Sequence, residues 1–140
     1  MRPILNCCLI VSIAACTLLT SCGTLPSTAK DSNRQEYSLF RAAERGSKAG
    51  VLQKLDRGIP IDATDDNGRT ALHFAAERGH DSLVKLLVSK GARVNLQDDL
   101  GNTPLHYAAM NEHHDTMRAL LAGGANTHIK NKNGQVPRVN

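Results

Sequence analysis

Between His106 and Asp115 the chain reads HYAAMNEHHD, which places three histidines and two carboxylates, Glu112 and Asp115, within ten residues. Neutral imidazoles and carboxylates are the ligands that zinc takes in catalytic sites, where three side chains hold the ion and a bound water becomes the nucleophile. On residue types alone, His106, His113 and His114 could therefore form a metal-dependent hydrolase. That chemistry needs the donors to converge on one point, and neither an HExxH nor a CxxC spacing is present to arrange it. The alternative is that these histidines are architectural. The elements that must position them decide between the two.

Those elements recur. Asn67-Gly68-Arg69-Thr70-Ala71-Leu72-His73-Phe74-Ala75-Ala76 aligns without gaps with Leu100-Gly101-Asn102-Thr103-Pro104-Leu105-His106-Tyr107-Ala108-Ala109, and Gly68, Gly101 and Gly134 stand 33 residues apart. The second half keeps step, with Gly91-Ala92 matching Gly124-Ala125, and a weaker copy at Leu39 to Gly46 matches Leu72 to Gly79. Within a copy, Leu72, Ala75, Ala76 and Gly79 make one narrow stripe at helical spacing, and Leu83, Val84, Leu86, Leu87 and Val88 make a wider one. Thr70 and Thr103 are placed to cap the first helix, and Pro104 suits its first turn, where the missing N–H costs nothing. Gly91 and Gly124 fall where a helix ends with positive φ. Aromatic residues make up 3% of the chain and Trp is absent, so a core of small residues and close helices fits better than one of large rings.

On these residues the chain from about Glu36 resembles the ankyrin repeat family, whose period and Gly-x-Thr-Pro-Leu-His-x-Ala-Ala pattern it carries. The resemblance implies an all-α repeat solenoid, an ankyrin stack of about three helix–turn–helix repeats with β-hairpin tips. The repeats are expected at 36–65, 66–98 and 99–131, with a truncated fourth at 132–140. It also implies a binding module without catalytic residue, metal or cofactor, whose partner is a protein and not a small molecule. His106 then corresponds to His73, at a position where the family's imidazole is a structural hydrogen-bonding group. His113 corresponds to His80, and Glu112 stands where a glycine is expected. His114 and Asp115 have no place in the pattern.

The first 35 residues are of another kind. Arg2 precedes an apolar run from Ile4 to Leu19, too short and too interrupted by Asn6 and Ser12 for a bilayer span, which reads as a secretory signal. Leu19-Thr20-Ser21-Cys22 resembles the lipobox of bacterial lipoproteins. That resemblance implies cleavage after residue 21 and a covalent lipid, palmitate included, on Cys22. All four cysteines (Cys7, Cys8, Cys16, Cys22) fall in this region, so a processed domain would hold no disulfide. Residues 22–35 are polar with no apolar period and are expected to be a flexible tether. Gly23, in place of an inner-membrane-retaining Asp, points to the outer membrane's periplasmic face. The +4 formal charge is spread along the chain with no basic stripe, which argues against nucleic acid. An effector acting on a host protein is a further alternative, against which the lipobox speaks.

Binding is expected on the concave face formed by the tips and the outward side of the first helices. The candidates are Asp66, Asn67, Arg69, Phe74, Glu77 and Arg78 in one repeat, and Asp99, Leu100, Asn102, Tyr107, Met110 and Asn111 in the next. Phe74 and Tyr107 either pack beneath the tips or form an aromatic floor for a partner. Gln53 and Lys54 suit a polar N-terminal cap. At the other end, Asn133 to Arg138 begins the truncated repeat and leaves the outer flank of repeat three uncovered, softened by Ala119 and Thr116.

Overall fold

In the computed structural model the described residues are 27–140, with side chains from Arg34 onward. The expected signal peptide, Cys22 and the start of the tether lie outside them. Six helices follow in order: α1 Ser27–Glu44, α2 Lys48–Asp56, α3 Ala71–Glu77, α4 Asp81–Ser89, α5 Pro104–Met110 and α6 His114–Ala122. Of the tether expected over 22–35, the part from Ser27 is helical. Its Ala, Lys, Arg and Gln are good helix formers, so a missing apolar period there does not mark an irregular backbone.

Residues 35–140 form one compact unit. In it α3 packs on α5 and α4 on α6, each against its own counterpart one repeat on, while α3–α4 and α5–α6 close the pairs. The stripes read from the sequence are the buried faces. Leu72 is 1% exposed, Ala75, Ala76, Leu83, Val84 and Leu87 are fully buried, and Leu105, Ala108 and Leu120 repeat the pattern. Each second helix ends on its glycine: Gly91 and Gly124 take φ 90°, and Ala92 and Ala125 donate back to Leu87 and Leu120 at 3.0 Å.

The tips form turns, and among the described residues the bridging is limited to one antiparallel pair, Thr64 with Thr70, in place of β-hairpins. A side chain supplies the order that a strand ladder would. The Asp65 carboxylate accepts the amides of Asn67 and Arg69, Asp98 those of Leu100 and Asn102, and the Asn131 side chain those of Asn133 and Gln135, all at 2.8 to 3.0 Å. One backbone bond per repeat then joins tip to tip: Asp99 donates to Asn67 and Lys132 to Leu100, each at 3.0 Å.

Two expectations about the helix flanks change. Ala119 and Thr116 do not soften an outer flank, since they are 7% and 0% exposed and lie inside. What that flank shows is Met110 at 69% and Leu121 at 40%. Gly79 is small for a reason other than helix approach. A Cβ there would stand 2.7 Å from the His113 ring, as one on Gly46 would stand 2.8 Å from His80. Replacing Gly79 by Ala therefore adds a clash to the strain of φ 75°, whereas Gly124→Ala meets no atom within 4 Å. Denaturant titration should show Gly124→Ala losing about 1 kcal/mol and Gly79→Ala about 2–4 kcal/mol. Equal losses would mean that the ring does not need its seat.

Candidate protein-binding surface

The histidines come first, because their commitments limit what the surface can do. The Nδ1 of His73 accepts the Thr70 backbone N–H at 3.0 Å and lies 2.9 Å from the Thr70 hydroxyl, closing a capping box at the start of α3. Its Nε2 donates to the Asn102 carbonyl at 3.2 Å, in the next repeat. An amide can only donate and a carbonyl can only accept, so the ring carries one proton, on Nε2. His106 repeats the arrangement: Thr103 N–H to Nδ1 at 3.1 Å, and Nε2 to the Gln135 carbonyl at 3.1 Å. The structural role expected for this position is present, and it reaches further, because each ring ties its own helix to the following tip.

His80 and His113 tie in the opposite direction. Their Nε2 atoms donate to the Glu44 and Glu77 carbonyls of the preceding repeat at 2.9 and 3.0 Å. His106 and His113 therefore spend their Nε2 atoms on carbonyls at 135 and 77 instead of converging, and His114 is exposed at the start of α6. Among the described residues no group of three potential ligands is arranged to hold a metal ion.

The aromatic pair is also drawn into the scaffold. Phe74 stacks on Phe40 with centroids 5.6 Å apart, and the Arg69 guanidinium lies over the Phe74 ring, 4.2 Å from its centroid. Arg69 is held in turn by Asp65 at 3.4 Å and Glu77 at 3.3 Å. Tyr107 donates its hydroxyl to Asp98 at 2.6 Å and meets the His73 ring edge-on at 6.0 Å. Burial, and then the bond to the Asp98 carboxylate, push its phenol up to about 12. Both rings are half-buried, packed beneath the tips.

The remaining candidates divide by repeat. In the earlier repeat the charges are used internally: Arg69 and Glu77 with each other, and Arg78 with Glu44. Asp66 and Asn67 are exposed at the tip. In the later repeat Asp99, Leu100, Met110 and Asn111 are exposed, with Leu100 at 62%. Asn102 is not on the surface. It is 6% exposed, and its side-chain oxygen accepts from Asn131 at 3.0 Å. Residue type suggested a tip contact, but the side chain turns inward to brace the next tip.

The period, the small-residue stripes, the boxed Thr–His pairs and the ring-on-glycine seats all recur at one step of the chain. The family model for ankyrin repeats, in three copies, matches residues 39–131. The chain belongs to the ankyrin repeat family. No curated protein matches it. An ankyrin stack is a protein–protein interaction module, and members of the family are typically scaffolds without catalysis.

A further set of polar residues just before the tips links consecutive repeats of the ankyrin stack. The Asp62 carboxylate accepts from the Arg93 amide at 3.0 Å, the Asn95 side chain accepts from the Asn126 amide at 2.7 Å, and Gln97 donates to the Gly101 and Lys130 carbonyls. Asp62 and Asn95 are one period apart, a signal in the sequence that composition-based reading passes over.

Burial lowers His73 below its ordinary value of 6.5, opposed by the Asn102 carbonyl and the Asp98 carboxylate. The unfolded chain therefore takes up the proton near 6.5 while the folded one resists it. The contribution to stability is whole above that value and is lost as pH falls below it. Thermal melts between pH 7.5 and 5.5 should show the native chain losing up to about 1.4 kcal/mol per pH unit from this residue. His73→Gln, less stable by about 1–3 kcal/mol at neutral pH, should lose less over the same range. A variant as steep as the native chain would place the pH dependence elsewhere.

Proposed function

We propose that this chain is a lipid-anchored ankyrin module that holds a protein partner in the bacterial envelope, as a scaffold, protective factor or immunity-type binder. The observation that carries the reading is the pairing of a lipobox-like Leu19-Thr20-Ser21-Cys22 with a repeat stack that contains no later cysteine. The thiol of Cys22 would accept the diacylglyceryl group, and several acyl chains at about 0.8 kcal/mol per buried methylene would make the attachment effectively permanent. Gly23 supports the periplasmic face of the outer membrane as the address. The partner would meet the concave face, with Asp66, Asn67, Asp99, Leu100, Met110 and Asn111 as the exposed contacts, and Arg69, Phe74, Glu77, Arg78 and Tyr107 holding that face in shape. Asn102 would act from beneath it.

Intact-mass measurement of the chain extracted from bacterial membranes should find residues 1–21 absent and acyl chains on Cys22. Cys22→Ala should move the protein to the soluble fraction. A membrane-bound species that keeps residues 1–21, or an unlipidated Cys22, contradicts the anchor.

A further inference from the structure

Four residues on the flank of repeat three that faces away from repeat two depart from the pattern, and each acts against the stacking of another repeat. Gly46 and Gly79 seat the rings of His80 and His113. At the next such position Glu112 takes φ 58°, the one positive value outside glycine among the described residues, and its Cβ fills the seat. Val136 stands one period after Thr103 and Val139 one period after His106, so neither half of a capping box is available. Arg138 stands one period after Leu105, a core position 1% exposed. The tip before them is complete, with Asn131 accepting from Asn133 and Gln135, yet 136–140 form no helix. The exclusion lies in these four side chains.

They leave an open groove of about 860 Å³ between the ends of α5 and α6 and residues 134–140. Ala109, Met110, Met117, Val136 and Pro137 are the apolar part of its lining, and His114, Asn131, Gln135 and Arg138 belong to the polar part. From Thr116 to Asn140 the chain has Arg118, Lys130, Lys132 and Arg138 and no Asp or Glu. Arg118 pairs with Asp115, while Lys130, Lys132 and Arg138 join no ion pair among the described residues. Glu112 is the one acid on the wall.

We propose that this groove, which meets the concave face at Met110, is a second binding surface, away from the tips, which takes an extended acidic segment of a partner protein. An apolar side chain of that segment sits between Met110 and Met117, and a carboxylate meets Arg138. Set beside a groove of mixed apolar and polar lining, Arg138 on the wall, with Lys130 and Lys132 in the same stretch of chain, complements a segment that alternates apolar and acidic residues. These cations would repel a basic segment.

The test uses the folded chain with ¹³C-methyl methionine and ten-residue peptides that alternate Leu with Glu, with Gln or with Lys. The Leu–Glu peptide should shift the Met110 and Met117 methyl signals to saturation. It should bind at least tenfold more tightly than the Leu–Gln peptide, and Arg138→Glu, at an exposed position, should remove that preference. Leu100→Ser at the tip should change nothing, which separates this groove from the tips. Equal binding of the Gln peptide, tighter binding of the Lys peptide, silence of both methyls, or a dimer that buries them would each overturn the proposal.

Discussion

The stack depends on a buried imidazole that uses both of its nitrogens. His73, 1% exposed, accepts a hydrogen bond from an amide of its own repeat and donates one to a carbonyl of the next. Breaking either bond would strand a buried polar group, at a cost of about 1–3 kcal/mol. The bond also fixes orientation, since a ring held at both ends cannot turn. Three-residue capping boxes set where α3 and α5 begin, and the same rings set how far the next tip lies. His80 and His113 reach back the other way, so each repeat is held to both neighbours through carbonyls. A repeat whose helices are seven to nine residues long could not stand alone, and these links make the interface between repeats the unit of stability.

That constraint shapes what is left for recognition. A residue needed to hold the stack is not free to hold a partner. Arg69, Glu77, Phe74 and Tyr107 have binding chemistries by type, yet the structure spends them on Asp65, on each other, on Phe40 and on Asp98. Unspent capacity lies at the tips and in repeat three, where Leu100 and Met110 replace Asn67 and Glu77 of the repeat before. The asymmetry gives an ankyrin stack two chemically different ends.

Much of this was legible in the sequence because a period multiplies weak signals. Thr70 with His73 is a common pair, but Thr103 with His106 one period later identifies a construction. The buried stripes and the glycine-ended helices followed from helical geometry. The side chains whose places the sequence does not reveal are those whose fate depends on the adjacent repeat. Asn102 turns inward because Asn131 waits there, and Thr116 is fully buried with its hydroxyl unpartnered. Tyr107 finds Asp98 nine residues back across a turn, a contact that spacing on a helix does not reveal. The helix from Ser27 was hidden for the opposite reason: helix propensity without periodicity looks the same as a linker.

The most direct test of the central claim is the protonation of the two capping rings, read by long-range ¹⁵N–¹H correlation at pH 7.5. Each of His73 and His106 should show a single proton on Nε2, slow to exchange, with Nδ1 unprotonated. A proton on Nδ1, or rapid exchange at Nε2, would mean that the rings do not join one repeat to the next.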